Sequence, residues 1–537
     1  MESKSLPRIA YFCMEYGLDS NFKTYAGGLG ILAGDYIKGA KDDNLPITAI
    51  GIKWKQGYGD QAIDKNGKPF DMFHDYDYDF LIDTGIKVPV TIRREEILCK
   101  VWKVNKFNNA DLYLLDTDIK ENSTRLITGQ LYGWFGEERI AQEIVLGIGG
   151  IRALRALGIN IDVYHFNEGH AVLAATELIK EKISIRQSFS KALKNTRKEI
   201  VFTTHTPIIH GNEEHPIEKL KYMGAFNGLS KEQMIELGGK PFNMTVAALR
   251  VSRKTNAVAK LHSETSNKMW KKVKNKSEII GITNAIHVPT WVDERLIGDS
   301  LENDLLWNIH MELKRDLISF IESKTKIKLL DDKLLIGFSR RAASYKRSNL
   351  IFSNPTIIDP LLKEGKIQIV FSGKAHPFDN EGKEIIADLI KMVEKYPNSV
   401  VYLENYDMEI GAKLTRGSDV WLNNPRRPME ASGTSGMKAA MNGVLNCSIL
   451  DGWWPEACID GINGWQFGNG FECDDLEQFD KHDAEALYEV LIKKVIPTYY
   501  ENRLDWINMM QESIKSTQKN FSMHRMLEEY FELLYKK

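Results

Sequence analysis

Residues Glu430 to Lys438 read Glu-Ala-Ser-Gly-Thr-Ser-Gly-Met-Lys. Gly433 and Gly436 make a small-residue turn that opens toward a helix expected over Met437–Asn442, with Lys438 on its first turn. Such a turn aims several backbone N–H groups and the positive end of a helix dipole at one point, a setting for an anion and most simply a phosphate. Glu430, just outside the turn, is placed to accept hydrogen bonds from hydroxyls. The same composition also serves as an ordinary strand-to-helix connection in an α/β protein.

A cationic set follows the strand expected at Lys333–Ser339: Arg340 and Arg341, then Tyr345, Lys346 and Arg347. Arginine grips phosphate oxygens bidentately and lysine acts as a point charge, so the set can converge on one or two phosphates; the alternative is a solvated basic loop. A second glycine turn, Ala26-Gly27-Gly28-Leu29-Gly30, lies between a strand expected at Arg8–Cys13 and a helix running to about Asp43. With the next strand, Pro46–Ile52, it forms a β-turn-α-β unit of the nucleotide-binding kind. Two such turns and the cations exceed the need of one phosphate. A site for two adjacent phosphate groups, one on a cofactor and one on a substrate, accounts for the surplus. His170 and His205 follow strands expected at Asp162–Phe166 and Glu199–Thr204. Ligands bind at such strand ends in open α/β sheets, although a lone histidine is more often a structural hydrogen-bond partner.

These residues need a scaffold, and alternating segments supply one. Strands expected at Lys366–Ser372, Ser399–Glu404, Asp419–Leu422 and Val444–Ile449 alternate with helices in the second half of the chain. Apolar strands in that alternation imply a parallel sheet covered on both faces. The fold class is therefore α/β, with two doubly wound Rossmann-like domains facing across a cleft. Residues 1–289 form an N-terminal Rossmann-like domain with insertions, 290–515 a C-terminal cofactor-binding one, and 516–537 a helix packing on the body of the protein. Residues 55–135 read as an antiparallel insertion with long loops. In the tail, Met523, Met526, Leu527, Tyr530, Phe531 and Leu534 form a helical stripe expected to pack rather than bind a ligand.

The chain has 537 residues, 43% hydrophobic and 27% charged, with a net charge of −2, which fits a multidomain globular protein and disfavours a nucleic-acid or anionic-membrane partner. No apolar run reaches the ~18–20 residues of a membrane helix. The N-terminus lacks a signal-peptide apolar core, so a cytoplasmic location is expected. The five cysteines are scattered without a Cys-x-x-Cys pair, which argues against a disulfide framework and against a structural metal site.

Taken together, Gly27-Gly28-Leu29-Gly30, Asn167-Glu168-Gly169-His170, Thr204-His205-Thr206, Thr283-Asn284, Arg340-Arg341 with Tyr345-Lys346-Arg347, and Glu430 through Lys438 resemble the α-glucan phosphorylase family, in particular its shorter bacterial and archaeal branch. The resemblance implies that Lys438 forms a Schiff base with pyridoxal 5′-phosphate, whose phosphate lies on Gly433, Thr434, Ser435 and Arg340. It places inorganic phosphate on Arg341, Lys346 and the backbone of Gly28, a residue also counted among the cofactor contacts. Asn284, Glu430, Ser432 and Gly433 would hold hydroxyls of the transferred sugar, with Tyr406 near its 2-hydroxyl. His170 would also line the substrate, and His205 would lie beneath the sugar, its carbonyl close to the anomeric centre.

In that family the cofactor phosphate relays a proton through the substrate phosphate to the glycosidic oxygen. An oxocarbenium-like sugar then takes phosphate on the same face, giving α-D-glucose 1-phosphate with retention. Partners by resemblance are α-1,4-glucan or maltodextrin and inorganic phosphate, and a homodimer is allowed. Three departures stand out: Arg340 where many relatives have lysine, Ser435-Gly436 for a Gly-Asn pair, and Asp451-Gly452-Trp453-Trp454-Pro455-Glu456 after the cofactor helix. Trp453 and Trp454 could stack on sugars or pack in the core. A nucleotide-sugar glucan synthase shares the expected architecture but has no use for Lys438. A catalytically silent glucan-binding protein is the non-enzyme alternative. Retaining hydrolysis is disfavoured, because no motif pairs two carboxyl groups at the ~5 Å it requires.

Overall fold

A computed structural model describes residues 6–133, 136–298 and 301–536; the first five residues of the N-terminal stretch considered above lie outside them. Two compact units emerge: Met1–Gly59 with Phe73–Thr283 and Met523–Lys537, and Asp60–Met72 with Asn284–Ser522. In chain order the strands up to Gly281 are β1 (Ile9–Phe12), β2 (Ile47–Ile52), β3 (Asp60–Ile63), β4 (Pro69–Met72), β5 (Ile82–Ile92), β6 (Glu95–Val104), β7 (Leu112–Asp116), β8 (Val163–Asn167), β9 (Ile200–Thr204), β10 (Glu214–His215), β11 (Phe242–Asn243), β12 (Lys254–Ala257) and β13 (Glu278–Gly281).

The first unit is built on a nine-stranded sheet in the order β13-β12-β9-β8-β1-β2-β7-β6-β5. From β13 to β7 the strands run parallel, with Ile9 opposite Ile47 on one side and Val163 on the other. β6 and β5 add antiparallel to β7, the insertion read from residues 55–135. β1, β8 and β9 are buried along their whole length, as strands packed on both faces must be. The strand order reverses between β1 and β8, so the carboxyl ends of these two strands form the position where open α/β sheets take ligands.

The tail belongs to this unit. Its helix Met523–Glu529 and the π-helical turn Tyr530–Tyr535 bury Met526, Leu527, Tyr530 and Leu534. A polar chain fastens it. The Tyr535 hydroxyl meets that of Tyr36 and lies 2.7 Å from His165 Nδ1, while His165 Nε2 is 2.6 Å from Thr203 Oγ1. Thr203 donates to Asn256 Oδ1 (2.6 Å), and Asn256 Nδ2 donates to Tyr530 (3.2 Å). Burial lowers His165 to about 3, so the ring is a neutral link in this chain.

The second unit holds six parallel strands, β14 (Leu334–Ser339), β15 (Ile367–Ser372), β16 (Val400–Leu403), β17 (Val420–Asn423), β18 (Leu445–Ile449) and β19 (Gly464–Phe467), in the order β16-β15-β14-β17-β18-β19. Here the reversal falls between β14 and β17. The β3–β4 hairpin, although it departs from the first part of the chain, belongs to this unit. The protein is thus a mixed α/β fold with parallel sheets, and among the described residues no helix is long and apolar enough to cross a membrane.

One buried ion pair pins the helix Asn303–Thr325 to the second sheet. Lys314 Nζ donates to Asp419 Oδ2 (2.6 Å), to the Lys333 carbonyl (2.6 Å) and to Tyr499 (2.8 Å). Asp419 also accepts from Leu335 N (2.7 Å) and pairs with His310 Nε2 (2.8 Å). Removing one partner of such a pair strands the other charge in the interior. Asp419→Ala is therefore expected to lower stability by about 3–5 kcal/mol, read as a reduced urea midpoint.

Candidate active site

The second unit brings a group of chemically capable side chains together. Arg340 follows β14, Lys346 sits in the turn six residues on, and Glu430 lies in the loop after β17. All three are buried. Glu430 Oε2 accepts from both cations, from Lys346 Nζ at 2.6 Å and from Arg340 Nη1 in a tight contact. Burial by itself raises the Glu430 carboxyl, but Lys346 and Arg340 outweigh it and hold it down at about 2. Asp451, which follows β18, accepts Glu430 N (2.8 Å) on one oxygen and Gly452 N (2.8 Å) on the other. Burial pushes it up to about 7, with the Glu430 charge adding to the rise.

The arginines divide. Arg340 Nε and Nη2 are buried and meet no acceptor among the described residues. Arg341 is exposed and has no hydrogen-bond or ion-pair partner among them either. Arg347 turns away from the cluster: its guanidinium is bound by the Asn424 and Pro425 carbonyls and by Asp480 and Asp483, at 2.7–3.0 Å. Of the cations read from this loop, then, Arg347 serves as a structural brace. Tyr406, partly buried against the core of this unit, has its phenol raised by burial, with the Arg340 charge among the opposing influences.

Beside the cluster, Gly433 stands at φ +93 and starts the helix Thr434–Met441, three residues earlier than the sequence suggests. A left-handed residue is a natural place to change direction, and glycine takes it without steric cost. The helix has no side-chain cap, so the first-turn N–H groups at Thr434 and Ser435 remain for an incoming acceptor. Ser432 Oγ is buried without a partner among the described residues. Lys438, in the middle of the same helix, is buried with its Nζ 3.2 Å from the centroid of the Trp291 ring. Asn284 is buried and in chain order falls after β13 and before the helix Val288–Trp291.

The donor set therefore fits a phosphate-bearing aldehyde. Unused guanidinium donors, an uncapped helix start and a buried amine lie within one unit. Trp453 and Trp454 are buried, 5.2 Å apart, with Trp453 edge-on to Phe521, so their faces pack in the core.

In the first unit, Glu168 is the organising residue. It stands at φ +73, ψ 167, a backbone region nearly reserved for glycine. Its carboxylate accepts His205 N (2.8 Å), Thr206 Oγ1 (3.3 Å) and its neighbour Gly169 N (3.2 Å). Burial pushes Glu168 up to about 7. His205 Nε2 is 2.6 Å from Asn167 Oδ1, and burial lowers this histidine to about 3. His170 belongs to another network: its Nε2 is 3.8 Å from Glu213, which accepts Arg139 Nε at 2.7 Å, and burial lowers the imidazole to about 3.

Gly28 opens the helix Gly28–Asp42. A Cβ at Gly27 or Gly28 would meet nothing within 4 Å, so open space surrounds this backbone. The preceding N–H groups are engaged, Ala26 N and Gly27 N donating to Glu15 Oε2 at 2.6 and 3.1 Å. Glu15, held also by the Tyr132 hydroxyl at 2.9 Å, escapes sequence reading because no motif marks it. Asp451 escapes too, although its position directly after a strand was the available signal.

The chain belongs to the carbohydrate phosphorylase family. A model of that family, described as "Carbohydrate phosphorylase", matches residues 294–486. Across 98% of the chain it is 40% identical to a maltodextrin phosphorylase of Thermococcus litoralis, covering 70% of that protein. It is 34% identical to a glycogen phosphorylase of Aquifex aeolicus, covering 98% of this chain and 86% of the relative. An uncharacterized protein of Methanocaldococcus jannaschii is 37% identical over 98% of this chain and 99% of its own length.

The buried cluster makes a testable statement about pH. Glu430 has a folded value of about 2 against an ordinary 4.5, so its contribution to stability is complete above pH 4.5 and is lost as pH falls toward 2. Glu430→Gln should cost about 3–5 kcal/mol at pH 7 by leaving Arg340 and Lys346 without their carboxylate. The gap between variant and wild type should narrow in urea titrations at pH 4 and 3; a gap independent of pH would contradict the assigned charge state.

Proposed function

We propose that the protein catalyses reversible phosphorolysis of α-1,4-glucan non-reducing ends, releasing α-D-glucose 1-phosphate with retention, with pyridoxal 5′-phosphate as cofactor. The observation that carries this reading is the buried Arg340–Glu430–Lys346 cluster, flanked by unpaired Arg341 and by the uncapped turn that leads to Lys438. The relatives named maltodextrin and glycogen phosphorylase support it. With it goes a finer reading of the fold as two Rossmann-like units of the two-domain glycosyltransferase kind.

Lys438 would hold the cofactor covalently, and Arg340, Gly433, Thr434 and Ser435 would hold its phosphate. When bound, pyridoxal phosphate supplies a phosphate able to exchange a proton with the substrate's. Arg341 and Lys346 would bind inorganic phosphate, together with the Gly28 backbone, and offset the repulsion of two adjacent anions. Glu430, ionised throughout the neutral range, accepts hydrogen bonds from sugar hydroxyls, a task shared with Asn284, Ser432 and the backbone of Gly433. Tyr406 serves the 2-hydroxyl. Glu168 fixes the peptide of His205, whose carbonyl would face the anomeric carbon as positive charge develops there. His170 lines the glucan. Maltodextrin or a longer glucan is the substrate class. A nucleotide-sugar synthase would leave Lys438 without a task.

Product assays from maltose to glycogen, with and without phosphate and added pyridoxal phosphate, test the reading. Lys438→Ala should abolish both the visible cofactor absorbance and glucose 1-phosphate formation. Arg341→Ala should raise the phosphate KM about 10- to 100-fold, the worth of one charged hydrogen-bonding group. Its urea midpoint should be unchanged, because the side chain is exposed and unpaired.

A further inference from the structure

We propose that Gln61, on the β3–β4 hairpin, is a positioning residue for the arginines of the phosphate site, an inference that rests on the phosphorolysis reading. Gln61 is buried, and its amide brackets the backbone of one residue: Oε1 accepts Ala375 N at 3.0 Å and Nε2 donates to Ala375 O at 3.2 Å. Nε2 also donates to Asp71 Oδ1 at 2.8 Å, across the hairpin. Donating to the carbonyl and accepting from the N–H of a single residue at once is something an amide side chain can do and a carboxylate cannot.

The bracketed residue, Ala375, lies in the loop that follows β15, and that loop is fastened to the one that carries the arginines. Arg340 N donates to Ser372 O (3.1 Å) and Ala342 N to Lys374 O (2.9 Å). Between them the backbones approach so closely that a Cβ on Gly373 would lie 2.1 Å from the Arg340 carbonyl. Arg340 to Ala342 therefore has one face set by residues 372–374, and Gln61 fixes the next residue of that segment, Ala375.

The hairpin holds a second loop in the same way. Gln61 N donates to Asn405 Oδ1 (3.2 Å), Asn405 Nδ2 to Asp60 Oδ1 (3.0 Å), and Ile63 N to Glu404 Oε2 (2.9 Å). Asn405, at φ +55, immediately precedes Tyr406. The hairpin has its own anchor: Lys383 pairs with Asp71 at 2.6 Å and donates to Pro377 O at 2.7 Å. A strand pair that departs from the chain far from the arginines thus closes on the loop beside them. Displacing a binding group by even ~1 Å is enough to cost a large factor in rate or affinity.

The test uses full-length protein loaded with pyridoxal phosphate. Gln61→Glu keeps the shape, removes both Nε2 donations and sets a carboxylate against Ala375 O and Asp71. Below the urea midpoint, which the buried charge lowers, the phosphate KM, and the phosphate Kd by calorimetry, are expected to rise about tenfold in the folded variant, with the glucan KM changing far less. An unchanged phosphate Kd in a folded Gln61→Glu overturns the proposal, as does a loss of kcat that only tracks the folded fraction. Gln61→Met, which keeps the volume without the charge conflict, carries the test where the Glu variant does not fold. Failure of both to fold reassigns Gln61 to a purely structural role. Wild-type protein that forms no phosphate-dependent product would refute the phosphorolysis reading itself, whereas the phosphate Kd of the variants judges the positioning role alone.

Discussion

Two buried cations, Arg340 and Lys346, share one carboxylate oxygen of Glu430. Burying an ion is costly unless its charge and hydrogen-bonding capacity are met, and here one negative charge faces two positive ones. The excess positive charge is concentrated on a guanidinium with two nitrogen donors still unused among the described residues. Asp451, hydrogen-bonded to the Glu430 backbone, does not restore the balance: burial, with the Glu430 charge adding to it, pushes this carboxyl up to about 7. The cluster is therefore built to attract an anion, and the uncapped helix start at Gly433 offers that anion a second set of donors.

The sheet is what makes this arrangement reachable. β14, β17 and β18 are adjacent in the second sheet, so residues 340, 430 and 451, distant in sequence, all emerge near the carboxyl ends of neighbouring strands. The reversal of strand order falls between β14 and β17, and Arg340 directly follows β14, one of the two strands at that reversal. The same logic holds in the first sheet, where β1 leads to Glu15 and β8 to Glu168.

Much of this was readable from the chain alone. Apolar strands alternating with helices announce parallel sheets, and Arg340, Lys346, Glu430 and Lys438 each carry a local mark: a strand end or a glycine turn. What could not be read are the elements that change unit. Asp60–Met72 is a short polar hairpin with no hydrophobic signature of its partner, and its ties to Ala375, Glu404 and Asn405 join residues more than 300 positions apart. The tail is similar: its apolar stripe announces that it packs, while the choice of surface depends on a hydrogen-bonded chain through Tyr36, His165 and Asn256 that no local pattern encodes. Arg347 shows the converse, a cation beside a functional loop that is consumed by two carbonyls and two aspartates.

The carboxylates show how environment divides one chemistry into separate tasks. Glu430 is held near 2 by two cations, whereas Glu168 and Asp451, buried without a cation of their own, lie near 7. A carboxyl near 7 is a candidate general acid when it has a free oxygen to offer. Both Glu168 oxygens are instead directed at the protein, one on Gly169 N and the other on His205 N and Thr206, and the two Asp451 oxygens are spent on backbone N–H groups. These acids fix loops. Glu430, held ionised by its two cations, is an acceptor with no proton to give at neutral pH. In the phosphorolysis proposed above, proton movement would then fall to groups brought in on phosphate, and the proposed part of Arg340, Arg341 and Lys346 would be to hold those anions close together against their repulsion.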